Sequence, residues 1–409
     1  MSYRILTIFL WPVFFIYTLK IAFRDKSSRY LFQRLGFSYR SQANKTIWIH
    51  CASVGEINTY LALHLELLEC FPDRNFIITT NTVTGANTIN RHKLSRTQHY
   101  FLPIESKFAI NRFLKKTKPS LCLIMETEIW PLLYQTLHAN DISISIINAR
   151  LSHRTLAANN WVKSIYKTSL TYVDKILCKS TVELANFKKL GASSSQLSVA
   201  GNLKFVFANN SFDATAINLE DHKYCVAAST HNDEELQLAT LWKKLSPELL
   251  LVIVPRHPNR SKQIQKQLDS LQIKYTVRSQ SSTFQKNTQI YLADTLGELT
   301  NFILGAEFVF IGGSLIKHGG QNILESCRLG KPTLCGPHMF NFVDEVNFLL
   351  KNNACIQIEN ITELESEISS YFENPDHFIT VANNAKTALE NQNKILDVYI
   401  NEIISIHDH

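Results

Sequence analysis

At 409 residues with 45% hydrophobic content, the chain exceeds the ~250–300 residues at which single cores stop growing, which implies two domains. Its eight cysteines run from Cys51 to Cys355 without a C-x-x-C pair, which excludes a disulfide framework or zinc knuckle and points to a reducing compartment. The net charge of +7 lies wholly in residues 1 to 45, where eight Lys/Arg face one acid, Asp25; the balanced remainder excludes a nucleic-acid-binding protein.

Ile5 to Phe23 is an apolar run about long enough to cross a bilayer as a helix. Arg24, Lys26, Arg29 and Arg34 follow it, and no small-residue cleavage site ends it. The positive-inside rule then reads an uncleaved anchor in residues 1–25, with everything after it in the cytoplasm. Pro12 and Lys20 favour the plainer reading, a helix lying in the interface or packed on the first domain.

Short β-rich runs then alternate with helix-length segments, which is βαβ grammar. The expected strands are Thr46–Cys51, Asn75–Thr80, His99–Leu102, Ser120–Met125, Ile142–Ile147 and Lys175–Cys178, with a helix from about Gly55 to Cys70. Residues 205 to 222 read as a linker. The grammar restarts with Tyr224–Ala228, Leu249–Val254, Lys274–Arg278, Gln289–Ala293 and Glu307–Ile311. The domains are therefore 26–207 and 208–409, each a Rossmann-like α/β half with a parallel sheet. The last helical stretch, near Asp376 to Ile404, is free to pack back on the first of them.

Several motifs fall on strand ends, where open α/β sheets bind ligands. Ser53-Val-Gly-Glu56 and Thr295-Leu-Gly-Glu298 have the form of a capping box, and each alone reads as structural. Glu56 nevertheless stands where the first strand meets a helix, so its carboxylate is placed to accept a proton. Met125-Glu126-Thr127-Glu128 puts two acids after an apolar strand, either as helix-dipole partners or as functional carboxylates. Val254-Pro255-Arg256-His257-Pro258 offers a guanidinium for a phosphate or for a surface ion pair. Gly201-Asn202-Leu203-Lys204 supplies a lysine that spacing alone would not single out.

Eight of the thirteen glycines fall between Gly297 and Gly336. The run Phe308 to Ser314, continued by His318 to Glu325, ends a strand in a glycine turn and opens a helix whose free N–H groups suit a phosphate. A tight loop with Asn322 as the helix cap is the alternative. No HExxH, Walker A, GxGxxG, GxSxG or D-x-D pattern occurs, which leaves a metal-independent transferase with no cofactor.

Read together, HCASVGE (50–56), METEIWP (125–131), NARLS (148–152), GNLK (201–204), VPRHP (254–258), DTLGEL (294–299) and FIGGSLIKHGGQNILE (310–325) resemble the 3-deoxy-D-manno-octulosonic acid (Kdo) transferases. These motifs are specific in their order and span nearly the whole chain. The resemblance implies a GT-B fold, with two Rossmann-like domains facing across a cleft behind an N-terminal membrane-anchor helix. It implies transfer of Kdo from CMP-Kdo to the lipid A precursor (lipid IVA) at the cytoplasmic side of the inner membrane. Glu56 then matches the general base, and Glu126 and Lys204 match transition-state stabilisers. Pro255, Arg256, Leu296, Gly297, Glu298, Asn322, Ile323, Leu324 and Glu325 match the donor site.

Departures from the family pattern are Gln321 where histidine is frequent, His231-Asn-Asp-Glu-Glu for H-x-G-E-E, and Phe101-Leu-Pro-Ile-Glu105 for Y-L-P-Y-D. They bear on fine specificity. The competing readings are a UDP-sugar GT-B transferase or epimerase, separated by donor preference, and a membrane-tethered nucleotide or lipid carrier, separated by the effect of Glu56→Gln.

Overall fold

The structure, a computed structural model, describes residues 3–206, 215–219, 222–245, 248–281 and 287–407, with side chains from Trp11 onward except that of His153. The expected linker at 205 to 222 lies largely outside these residues. The chain divides into two compact units, Met1–Asn209 with Asn393–His409, and Asn210–Gln392.

The first unit holds β1 (Thr46–His50), β2 (Asn75–Thr80), β3 (Thr97–Phe101), β4 (Pro119–Met125), β5 (Ser143–Ala149), β6 (Lys175–Cys178) and β7 (Leu197–Val199). They form one parallel sheet in the order β3-β2-β1-β4-β5-β6-β7. The apolar runs are continuous because both faces are covered. Ile47, Ile49, Leu121, Leu123 and Met125 face one core, and Trp48, Cys122, Ile124, Ile144 and Ile146 face the other.

The second unit holds β8 (Tyr224–Thr230), β9 (Leu250–Pro255), β10 (Tyr275–Val277), β11 (Ile290–Leu292), β12 (Val309–Ile311), β13 (Thr333–Cys335) and β14 (Ile356–Gln357). This sheet is also parallel, in the order β10-β11-β9-β8-β12-β13-β14. Strands β7, β13 and β14 are only two or three residues long, and sequence reasoning passes over them, though it finds the equally short β10, β11 and β12.

The first strand order reverses between β1 and β4, and the second between β8 and β12, with β11 placed inside the edge strand β10. Connections leaving two adjacent strands in opposite directions open a crevice above their C-terminal ends. Those two crevices position the candidate site residues.

The final helical stretch is two helices, Pro375–Glu390 and Lys394–His407, joined by a single 3-10 turn. The first contributes Phe378 to the second unit's core. The other buries Tyr399, Ile403 and Ile406 against the first unit's sheet and the helix Val54–Cys70, each side chain contributing ~1.5–3 kcal/mol.

The N-terminal helix runs Tyr3–Arg24 with Pro12 inside it. Its end lies along the first unit, with Ala22 in a cluster with Tyr30, Ala86 and Phe101. Trp11, Val13, Ile16, Tyr17 and Phe23 stay exposed. Among the described residues no helix is long and apolar enough to cross a membrane.

Candidate active site

At the first crevice, β1 ends at His50 and the chain turns into the helix Val54–Cys70. Ser53 caps that helix by accepting the Glu56 N–H at 3.3 Å, and its hydroxyl donates to the Glu56 carboxylate at 3.0 Å. The carboxylate does not return to the cap's own N–H, as a standard capping box would have it. It accepts the Ala52 N–H instead, at 2.8 Å. This holds one oxygen toward the strand end.

Burial pushes the Glu56 carboxyl up to about 7, with the charges of Glu126 and Glu128 adding to the rise and the Ala52 and Ser53 bonds opposing it. A carboxylate poised near neutrality is what proton abstraction requires.

Across the crevice Glu126 follows β4 directly, with its backbone in the left-handed region at φ 57° and only 8% of the residue exposed. Such a conformation costs a non-glycine residue energy and persists only where surrounding bonds enforce it. Here the Glu126 N–H donates to Ile147 at 3.0 Å, and Arg150 Nε donates to its carboxylate at 2.6 Å.

Glu128, two residues on, accepts from Trp130 Nε1 at 3.0 Å and Asn81 Nδ2 at 3.3 Å. His50 Nε2 stands 3.7 Å away. Burial alone would raise the Glu128 carboxyl, but His50, Trp130 and Asn81 outweigh it and hold the group low. The two acids of one motif thus differ in surroundings, and the motif alone does not show it. Glu105, at the end of the Phe101-Leu-Pro-Ile-Glu105 departure, accepts the Leu132 N–H at 2.7 Å and so caps the helix Pro131–His138 that follows the motif.

Lys204 lies in a 3-10 turn, Leu203–Phe205, whose Asn202 side chain accepts the Lys204 N–H at 3.0 Å. That turn touches the helix Val54–Cys70, and Leu203 shares a core with Ile57 and Tyr60. Glu56 and Glu126, far apart in sequence, are thus close enough for the charge of one to act on the other, and the turn that carries Lys204 packs on the helix that carries Glu56.

In the second unit the glycine turn after β12 is anchored from within the fold. Its amides are not free for a phosphate, because Glu234, wholly buried, accepts the N–H of Gly313 at 2.6 Å, Ser314 at 3.0 Å and Leu315 at 3.1 Å, and that of His231 at 3.0 Å. Burial raises this carboxyl against the pull of those bonds. Gly312 is fixed by closeness: a Cβ there would lie 2.6 Å from the Ser229 carbonyl oxygen. The sequence signal was His231-Asn-Asp-Glu-Glu, which reads as a family departure and not as an anchor for a loop some eighty residues later.

Around that turn the His231 and His318 rings stand 3.8 Å apart between centroids, with His257 at 6.0 Å from His231. Gln321 Nε2 lies 2.9 Å from His231 Nε2. Burial, then His318, His257, Arg260 and Arg256, hold His231 down to about 4, so its neutral ring accepts the Gln321 amide N–H. Imidazoles and guanidiniums in one crevice suit an anionic ligand.

Pro255 ends β9, and the exposed Arg256 donates its N–H to Thr230 at 3.0 Å. Leu296 is 83% exposed, and Gly297 turns at φ 85°. Glu298 is not part of a capping box: it is itself the N-cap of the helix Leu299–Gly305, and Arg278 at 2.8 Å holds its carboxyl below the usual range. Asn322 Oδ1 accepts the Leu324 N–H at 3.2 Å, with Ile323 and Leu324 buried and Glu325 accepting from Thr300 at 2.7 Å. The helix there begins at Leu324 and runs only to Arg328, which gives it a small dipole. Residues 338–341, missed from sequence, fold over the same turn: His338 N–H bonds Ser314 at 3.0 Å and Asn341 N–H bonds Gly319 at 3.1 Å.

Residues 29–207 match the sequence profile of the 3-Deoxy-D-manno-octulosonic-acid transferase (kdotransferase) family. A 3-deoxy-D-manno-octulosonic acid transferase of Haemophilus influenzae is 32% identical over 353 residues, which is 83% of this chain and 82% of that protein. Among solved structures, a glycosyltransferase from Rickettsia africae superposes with a TM-score of 0.57 at 14% identity, over 90% of this chain and 98% of that one. A UDP-GlcNAc 2-epimerase from Neisseria meningitidis bound to UDP-GlcNAc does so with a TM-score of 0.56 at 14% identity, over 86% and 99%. Likenesses at that identity carry the fold alone, and the fold is GT-B. The chain belongs to the Kdo transferase family and is a glycosyltransferase built on two parallel seven-stranded sheets.

Proposed function

We propose that this Kdo transferase takes Kdo from CMP-Kdo and adds it to the lipid A precursor, lipid IVA, with Glu56 as general base on the acceptor hydroxyl. The observation that carries the reading is the Glu56 carboxyl held near neutrality, at about 7, beside two other acids. Glu56 removes the hydroxyl proton as the acceptor oxygen attacks the anomeric carbon of Kdo and CMP departs with the bonding pair. Positive charge building on the sugar is offset by the Glu126 carboxylate, and negative charge on the leaving phosphate by Lys204. The donor lies on the second unit, against Pro255 and Arg256, the Leu296-Gly297-Glu298 turn and Asn322 to Glu325, with the histidine cluster supplying donors for its anionic groups.

The test is transfer from CMP-Kdo, generated in situ, to tetraacylated lipid A precursor without added metal, with the sugars on the product counted by mass spectrometry. Product from the wild type supports the reading. No product from folded protein, with turnover of a UDP-sugar instead, moves the assignment to the UDP-sugar class.

The same proposal sets the protein at the cytoplasmic face of the inner membrane. The helix Tyr3–Arg24 and the residues just after it support this, with the exposed Val13, Ile16, Tyr17 and Phe23 and the basic Lys20, Arg24, Lys26 and Arg29, since cations near an anionic surface and apolar side chains entering it act together. Binding to vesicles containing anionic lipid is expected to weaken with salt. It should fall roughly tenfold for each of Ile16→Ser and Phe23→Ser. Partitioning that ignores both changes rejects this placement.

A further inference from the structure

We infer that Tyr399, on the C-terminal helix Lys394–His407, is a positioning residue for the transfer reaction, setting the 201–206 turn that carries Lys204 against the end of β5. This rests on the proposed role of Lys204. The Tyr399 side chain is wholly buried. Its hydroxyl accepts the Asn148 N–H at 3.1 Å and donates to the Gly201 carbonyl at 2.9 Å. One oxygen thus joins the strand end to the turn.

Each partner leads to a proposed site residue. Asn148, in the left-handed conformation at φ 49° that asparagine tolerates, accepts the Leu203 N–H on its side-chain carbonyl at 3.1 Å. Lys204 is the next residue. The residue before Asn148, Ile147, accepts the Glu126 N–H at 3.0 Å, and Arg150 holds the Glu126 carboxylate at 2.6 Å. On the other side Gly201 turns at φ 97°, and a Cβ there would lie 2.8 Å from the Ile395 side chain of the same C-terminal helix.

Apolar packing alone would seat this helix through Ile403 and Ile406. A phenol placed between two backbone segments does more, because it fixes the distance between them. A buried hydroxyl with an accepted and a donated bond has little freedom to move, and a reacting charge displaced by about 1 Å costs rate.

Tyr399→Phe keeps the ring and removes the link. The expected result is a roughly 10- to 100-fold fall in kcat with little change in KM for CMP-Kdo. Ile403→Val, a packing loss on the same helix face, should leave kcat at the wild-type value. In a Lys204→Met background the Tyr399→Phe change should add little further loss, because residues that act through one another are not additive.

Wild-type kcat in Tyr399→Phe, an equal fall in Ile403→Val, or full additivity with Lys204→Met overturns the positioning role and leaves the reading of Lys204 standing. Wild-type kcat in Lys204→Met alone overturns that reading, and this inference with it.

Discussion

Glu56→Gln is expected to lower kcat by roughly 10²- to 10⁴-fold while leaving the fold intact, as read by Kdo transfer and thermal unfolding of the same preparation. The glutamine carbonyl can still accept the Ala52 N–H that now bonds the carboxylate at 2.8 Å, and its amide can donate to the Ser53 hydroxyl. What is lost is the ability to take a proton.

The pH profile adds a second readout. A base whose carboxyl titrates at about 7 is protonated and idle below that pH, so wild-type kcat/KM should climb as pH rises through about 7 and then level. The acid limb should be absent from the residual activity of Glu56→Gln.

Stability should move the other way. The folded carboxyl titrates above the ordinary carboxylate range, so between that range and about 7 the unfolded chain releases its proton first and the folded state loses stability as pH rises. Above pH 7 the buried charge costs on the order of 1–3 kcal/mol. Glu56→Gln should therefore be at least as stable as the wild type at pH 8. A variant that loses activity only in proportion to lost stability, or that keeps the acid limb, removes Glu56 from the mechanism.

Glu234→Ala is expected to be the most damaging single change in the second unit. It leaves the N–H groups of His231, Gly313, Ser314 and Leu315 without the carboxylate that now accepts all four. Orphaned buried donors cost about 1–3 kcal/mol each, partly offset because the cost of burying a charge disappears as well. A net loss of roughly 3–5 kcal/mol follows, or a fall in Tm of about 10 °C. Donor binding should fail with it, since the turn carried by those amides lies between the histidine cluster and residues 338–341. Unchanged Tm and unchanged CMP-Kdo affinity would show that the turn holds its shape by glycine geometry alone.

Much of the fold was legible because buried strands and helix caps leave local marks. Apolar runs such as Asn75–Thr80 and Lys175–Cys178 appear in the structure with the bounds their sequence suggests, since a strand buried on both faces writes its length directly into composition. Ser53 announced a helix start, and the structure begins that helix at Val54. Local reading failed where two partners lie far apart. The Thr295 to Glu298 pattern looks like a cap, yet Glu298 is itself the N-cap of the next helix, and its carboxylate is shared between Arg278 and the Thr295 hydroxyl. The glycine turn at Gly312 gives no local sign of its partner, and Glu234 accepts its amides.

By itself, then, the sequence determined that there are two α/β halves, where their strands stop, and which acids and glycines follow those stops. These depend on periodicity, turn chemistry and capping, which act over a few residues. Only the tertiary structure decided that β4 lies beside β1 and β12 beside β8, which brings Glu56 to Glu126 and Glu234 to Gly313. It alone decided that the helix Lys394–His407 crosses back in sequence to hold the strand end beneath Lys204. The physical reason is that strand order and such long closures are settled by packing both faces of a sheet at once, and no short window of residues encodes that sum.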